Sequence, residues 1–113
     1  MRLQVKGKNV EVTPSIREYA ERKLGKLAKV LAAETQVEVE LSEQRNPSIA
    51  DSAVAEATIF TKGPTLHARE ATPDMKASID QLVDKLDRQV KRYREMRRLE
   101  PRRHVPQVDD LAT

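Results

Sequence analysis

The sequence contains no cysteine and no tryptophan, and only three of its 113 residues are aromatic. Without cysteine, a disulfide framework, a thiol nucleophile and a zinc ribbon are all excluded. No apolar run approaches the roughly 18 residues that cross a bilayer, and the first ten residues lack the apolar core of a signal peptide. We therefore expect a soluble, cytoplasmic protein, and the length predicts one domain.

Charged residues make up 35% of the chain, and the two signs are unevenly distributed. The segment 85–103 carries nine basic side chains against three acidic ones, whereas the rest of the chain is net negative. Leu, Ile, Val and Phe together exceed the roughly 20% below which disorder is expected. The composition therefore predicts a folded domain with one basic side, which is suited to binding a polyanion.

Hydrophobic periodicity predicts the element order β-α-β-β-β-α. Alternating apolar residues predict strands at about 2–8, 36–42, 53–61 and 65–70, and apolar stripes at helical spacing predict helices at about 14–31 and 73–98. Each helix follows a Thr-Pro start, at Thr13-Pro14 and Thr72-Pro73. Four strands can bury one face against two helices, so we predict an α+β two-layer sandwich at 1–98. A polar tail at 99–113 is expected to be disordered or to begin a linker.

The predicted open face of the sheet is acidic, and nothing in the chain predicts catalysis. That face would carry Glu38, Glu40, Glu56 and His67. The only other histidine is His104, which leaves too few for a metal cluster. The helical carboxylates Asp80, Asp84 and Asp87 are interpreted as partners of helix cations. We predict no catalytic site, no metal, no cofactor and no small-molecule substrate, and hence not an enzyme.

Two rows of basic residues are the most informative feature of the helices. Each row has members that share a helix face, with one further cation beside it. The first helix carries Arg22, Lys26 and Lys29 with Lys23 beside them, and the second carries Lys85, Arg88 and Arg92 with Lys91 beside them. One interpretation is two ordinary solvated faces. The other, favoured by the positive charge near the end of the second helix, is that both rows meet a single anionic surface.

The nature of the polyanion follows from what the helices lack. Three aromatics are too few for the base-stacking platforms of RRM or OB folds, and no G-x-x-G loop is present. Neither helix places Trp or Phe at its apolar edge, which disfavours a membrane surface. The remaining prediction is recognition of the shape and phosphates of structured RNA.

Over about residues 1–95 the sequence also resembles a known family. The resemblance is carried by Gly7-x-Asn9-Val10-Glu11-Val12-Thr13, Ile16-Arg17-Glu18-Tyr19, Lys23-x-x-Lys26-Leu27, Leu66-His67-Ala68 and Asp74-Met75-Lys76-Ala77-Ser78-Ile79-Asp80-x-Leu82-Val83-Asp84-Lys85-Leu86-x-Arg88-Gln89. In order and at this spacing these segments resemble the ribosome hibernation promoting factors, also called ribosome-associated inhibitor or protein Y-like factors. The resemblance implies a fold related to the double-stranded-RNA-binding domain.

The resemblance also implies a target. Family members bind the small ribosomal subunit between head and body, in the channel for mRNA and tRNA, and hold ribosomes inactive in stationary phase or stress. The basic positions that match are Lys23, Lys26, Lys85, Arg88 and Arg92. The helical spacing alone indicates Arg22, Lys29 and Lys91. The expected partner is thus ribosomal RNA, and the expected role is inhibition of translation.

Two alternatives stay open at this stage. Long family members continue through a linker into a C-terminal domain that pairs two ribosomes, and the segment 100–113 resembles the opening of such a linker. The chain is then either the N-terminal domain of a long form, unable to pair ribosomes without that C-terminal domain, or a short form with a modest tail. The alternative function is a general structured-RNA-binding protein or RNA chaperone. A nucleic-acid-processing enzyme would need a metal or nucleophile site that the sequence does not supply.

Overall fold

The computed structural model describes residues 1–46 and 48–104, with side chains as far as Met96. The elements are β1 (Arg2–Gly7), α1 (Pro14–Leu24), a 3-10 helix (Gly25–Lys29), β2 (Gln36–Glu43), β3 (Ala53–Phe60), β4 (Thr65–Thr72) and α2 (Met75–His104). This order confirms the β-α-β-β-β-α prediction.

The four strands form one mixed sheet in the spatial order β1-β2-β3-β4. The first pair is parallel, with Val5 opposite Val39, because α1 carries the chain back across the sheet; the other two pairs are antiparallel hairpins. The inward residues of all four strands and of both helices form a single buried cluster. The α+β two-layer architecture with both helices on one face is therefore confirmed.

The open face of the sheet carries mixed charge, which corrects the prediction of an acidic face. Glu38, Glu40, Glu56 and His67 do share this face, but cations flank them. One rung across the sheet reads Lys6, Glu40, Glu56 and Arg69 from β1 to β4. Opposite charges on neighbouring strands attract, so the two central carboxylates are partly neutralised by the edge strands.

The first helix is shorter than predicted. Thr13 caps it as expected, since its Oγ1 accepts the Ile16 N–H at 3.2 Å and proline occupies the first helical position. The α-helix, however, ends at Leu24 rather than at 31, and the chain tightens into a 3-10 helix from Gly25. Leu27 is buried all the same, which is why the apolar stripe continues past the end of the α-helix.

The second helix begins and ends later than predicted. Thr72 is the last residue of β4, and Asp74 caps the helix because its Oδ2 accepts the Ala77 N–H at 3.0 Å. The helix continues past 98 to His104. The remainder of the predicted tail, 105–113, lies outside the described residues, so the division into 1–98 and 99–113 stays a prediction.

Two polar contacts tie the ends of the elements together. The Asn9 amide donates to the Glu43 carbonyl at 2.8 Å and accepts the Glu43 N–H at 2.9 Å, which extends the contact between β1 and β2. The fully buried Ser78 hydroxyl lies 2.8 Å from Thr72 Oγ1 and donates to the Ala53 carbonyl at 2.6 Å. The start of α2 is thereby fixed against both β3 and β4, which sets the position of its basic residues.

Candidate nucleic-acid interface

The basic residues of the first helical segment lie on its solvent side. Arg22, Lys26 and Lys29 are all exposed. Lys26 and Lys29 belong to the 3-10 helix, in which side chains three residues apart lie directly above one another. The tighter winding therefore aligns these two ammonium groups more closely than the predicted α-helix would.

Lys23 instead faces the second helix. It is half-buried, and its Nζ lies 3.8 Å from Asp80 Oδ1. The same carboxylate oxygen accepts the Tyr19 hydroxyl at 2.7 Å. This hydrogen bond is the main reason that the pKa of Tyr19 is raised above its ordinary value of 10.0, since it favours the neutral phenol. Asp80 is thus the acidic anchor between α1 and α2.

Three cations surround the Tyr19 ring. Arg22 Cζ, Lys23 Nζ and Lys76 Nζ lie 5.4, 5.5 and 5.3 Å from its centroid. These distances are within the roughly 6 Å at which a ring attracts a cation. Lys76 was not among the predicted interface residues. The sequence could have indicated Lys76 only through its position in the segment 74–89, which carries the family resemblance. Its proximity to Tyr19 depends on how the two helices pack.

The second basic row lies on the side of α2 that borders β4. Lys85 Nζ lies 3.3 Å from Glu70 Oε2, and Gln89 Nε2 donates to the His67 carbonyl at 3.0 Å. Arg92 follows Lys85 by seven residues and Gln89 by three, so it shares this side of the helix. Arg88 follows Lys85 by three residues and lies between the β4 side and the outward surface of the helix, where it is exposed.

The first helical segment packs on one side of α2, at Asp80, and the second basic row lies on the opposite side of α2, beside β4. The outward surface of α2, here called the ridge, therefore separates the two basic rows. Asp84, Asp87 and Lys91 occupy that ridge at helical spacing, and Lys91 Nζ pairs with Asp87 Oδ2 at 3.0 Å. An anionic surface that meets both rows must span the ridge. Lys91 is accordingly held by its own helix, whereas Arg92 lies on the β4 side and Arg88 lies between that side and the ridge.

Within the described part of the chain, other site chemistries have little support. No group of three or more His, Asp or Glu side chains there is arranged to hold a metal ion. His67 Nε2 lies 2.7 Å from Glu56 Oε2 on the open face, an exposed cross-strand pair. None of the described helices is both long and apolar enough to span a bilayer.

Comparisons with known proteins identify what the chain is similar to. The model of the family described as Sigma 54 modulation protein / S30EA ribosomal protein matches residues 3–98. A ribosome hibernation promotion factor from Picosynechococcus sp. is 40% identical over 96 residues, covering 84% of this chain and 50% of its own length. A ribosome hibernation promoting factor from Salmonella typhimurium is 37% identical over 95 residues, covering 84% of this chain and 95% of its own.

Solved structures agree with the observed fold. The crystal structure of the Thermus thermophilus Protein Y N-terminal domain superposes with a TM-score of 0.70 at 34% identity, covering 82% of this chain and 99% of that one. A ribosomal subunit interface protein from Coxiella burnetii gives a TM-score of 0.71 at 22% identity, covering 84% of this chain and 99% of that one, which shows the shared fold alone. The predicted resemblance to a double-stranded-RNA-binding domain stays a prediction.

The relatives differ in length. This chain spans about half of the length of the Picosynechococcus protein and 56% of a Lactococcus lactis ribosome hibernation promotion factor, but nearly all of the Salmonella protein. The names of these relatives describe ribosome hibernation, which is not an enzymatic activity. With its family model matched from residue 3 to residue 98, the chain belongs to the Sigma 54 modulation protein / S30EA ribosomal protein family.

Proposed function

We propose that this protein is a ribosome hibernation factor: it binds the small ribosomal subunit in the mRNA and tRNA channel and inhibits translation in stress or stationary phase. The observation that carries the proposal is the exposed pair Arg88 and Arg92, which extends beside Lys85 from the outward surface of α2 to its β4 side in a chain of this family. A guanidinium presents two parallel donors to a phosphate, so this row is suited to a ribosomal RNA backbone.

The mechanism we propose is occlusion, in which no covalent bond changes. The cations of α2 and of the first helical segment contact ribosomal RNA phosphates, and the two-layer body occupies the space that mRNA and tRNA would enter. The carboxylates that pair with Lys23, Lys85 and Lys91 hold these side chains in place before binding. Such exposed pairs are worth little, about 0–1 kcal/mol each, so phosphates can replace them at small cost.

The experiment is co-sedimentation with purified small ribosomal subunits in excess tRNA. We expect the native chain to bind stoichiometrically and Arg88→Glu/Arg92→Glu to lose binding. The matched control is Arg2→Glu/Lys8→Glu, which makes the same charge change at exposed positions of β1 and the residue after it. If the control loses binding as fully as the α2 variant, net charge rather than the α2 row explains the affinity.

The alternative, a general structured-RNA-binding protein or RNA chaperone, uses the same cations. Phosphate contacts carry no sequence information, which is the feature that keeps this function open. Free tRNA in excess should then strip the chain from the subunits.

We also propose that the chain alone does not pair ribosomes, since it spans about half of the two longer relatives. Sucrose gradients that show paired ribosomes with this chain alone would contradict that.

A further inference from the structure

Three cations and one carboxylate meet around the half-buried ring of Tyr19, where the end of α1 packs against the start of α2. We call this group the Tyr19 cluster; its other members are Arg22, Lys23, Lys76 and Asp80. Arg22 and Lys23 come from the last turn of α1, whereas Lys76 is the second residue of α2. The charged atoms of all three lie between 5.3 and 5.5 Å from the ring centroid. Positive charge from two helices is therefore gathered at one exposed place.

Two of the three cations lack a carboxylate partner among the described side chains. Lys23 pairs with Asp80 at 3.8 Å, but no ion pair in that part of the chain includes the exposed Arg22 or Lys76. Asp74, whose charge also acts on Tyr19, accepts the Ala77 N–H at 3.0 Å as the cap of α2. The ring attracts an exposed cation only weakly and does not neutralise it. The charges of Arg22 and Lys76 thus remain available to an anion.

The position of Lys76 is unfavourable for the fold, which is a second and independent observation. The positive end of a helix dipole repels a cation in the first turn, and Lys76 lies in the first turn of α2. Arg22 and Lys23 lie in the last turn of α1, where the dipole attracts cations. A residue that opposes its local electrostatics without a compensating contact is typical of functional sites. Lys76 therefore indicates an anionic ligand.

We propose that the Tyr19 cluster binds one phosphate group, which Arg22 contacts from α1 and Lys76 contacts from α2. The Arg22 guanidinium supplies two parallel donors and Lys76 supplies a point charge, while Tyr19 is a positioning residue that holds both long side chains beside its ring. The inference rests on the proposed function, in which the phosphate belongs to the RNA backbone; a free phosphate offers the same chemistry. The site lies on the side of α2 opposite Arg92, so the two contacts together fix how the domain is rotated on the RNA.

The first arm of the test is an NMR titration of the full chain with inorganic diphosphate. We expect saturable shifts of the Tyr19 ring and of the Lys76 backbone amide. Lys76→Gln and Arg22→Gln change exposed side chains and leave the core intact, and each should weaken this binding about fivefold. Lys6→Gln is the matched control, because it removes one exposed lysine on the open face of the sheet, and it should bind diphosphate at the cluster as the native chain does.

The second arm measures affinity for small ribosomal subunits over a salt series. Two cations that hold one phosphate are coupled, so Arg22→Gln/Lys76→Gln should lose less affinity than the product of the two single losses. The log–log salt slope of this double variant should be shallower by about 0.7–0.9, the value for one phosphate. Lys6→Gln should keep the native slope.

Two results would overturn the phosphate site: no diphosphate shifts at Tyr19 and Lys76, or native diphosphate affinity in both Lys76→Gln and Arg22→Gln. A double variant whose slope changes by about twice the value for one phosphate would overturn the sharing of a single group. Weaker diphosphate binding with unchanged subunit affinity would support the site and assign it to a free phosphate. A native chain that binds diphosphate at the cluster but does not bind subunits would remove only the proposed function.

Discussion

Replacing Asp80 with asparagine is predicted to strengthen RNA binding while it weakens the fold. The Asp80 carboxylate accepts the Tyr19 hydroxyl at 2.7 Å and lies 3.8 Å from Lys23 Nζ. The amide oxygen of Asp80→Asn can still accept from Tyr19, but the charge that holds Lys23 is removed. Lys23 then becomes available to a phosphate, beside the two other cations at the Tyr19 ring.

The magnitude follows from the exposure of the pair. The Lys23 and Asp80 side chains are 32% and 46% exposed, so their attraction is worth about 0.2–1 kcal/mol. When Lys23 no longer has to leave Asp80 before it binds a phosphate, the affinity of the chain for RNA should rise by up to about fivefold. One additional phosphate contact should also steepen the log–log salt slope by about 0.7–0.9. A neutral amide oxygen is a weaker acceptor than a carboxylate, so the hydrogen bond from Tyr19 weakens and the Tm of Asp80→Asn should fall.

The assay is fluorescence anisotropy of the labelled chain against small ribosomal subunits over a salt series, with Tm measured on the same samples. Asp84→Asn is the matched control, because it removes one charge from the outer ridge of α2 a turn later. We expect Asp80→Asn to bind more tightly than this control and to melt at a lower temperature. Binding no tighter than Asp84→Asn would refute the view that Asp80 competes with phosphate for Lys23.

Three further predictions concern the framework that supports the interface. Ser78→Ala should lower the unfolding free energy by about 1–3 kcal/mol in urea denaturation because it removes two buried hydrogen bonds, one to the Ala53 carbonyl and one with Thr72 Oγ1, whereas exposed Ser15→Ala should change it by under about 0.5 kcal/mol. Gly7→Ala should destabilise the fold, seen as a lower Tm, because a Cβ there would overlap the Val10 carbonyl. The raised pKa of Tyr19 means that its contribution to stability is complete below pH 10 and is lost above it, so Tyr19→Phe should melt with less dependence on pH between 9 and 11.

The strands could be predicted from the sequence to within about two residues because burial is one-sided over most of their length, with consecutive buried residues only at the start of β3 among the described strands. Val37, Val39 and Leu41 alternate with polar residues, and a shift by one position would expose all of them. The end of α1 could not be located in the same way, since Leu27 continues the apolar stripe in either an α or a 3-10 helix. Gly25 was the local signal for the change of winding.

The candidate site was predictable only in part. Helical spacing identified which basic residues share a face of each helix, but it carried no information on which neighbour each face would meet, and Lys23 and Lys91 are both held by carboxylates of α2. That Lys85 borders β4 while Asp80 meets α1 depends on tertiary packing. The same holds for Lys76, whose position beside Tyr19 arises from a contact between residues far apart in sequence.

The most direct test of the central claim is co-sedimentation of the chain with small ribosomal subunits in excess tRNA. We expect the native chain and Arg2→Glu/Lys8→Glu to pellet with the subunits, while Arg88→Glu/Arg92→Glu stays in the supernatant although it remains folded. With roughly five to eight phosphate contacts, the logarithm of the native binding constant should fall with the logarithm of the salt concentration at a slope of about −4 to −7. Native-like pelleting of Arg88→Glu/Arg92→Glu, or complete release of the native chain by free tRNA, would contradict the account.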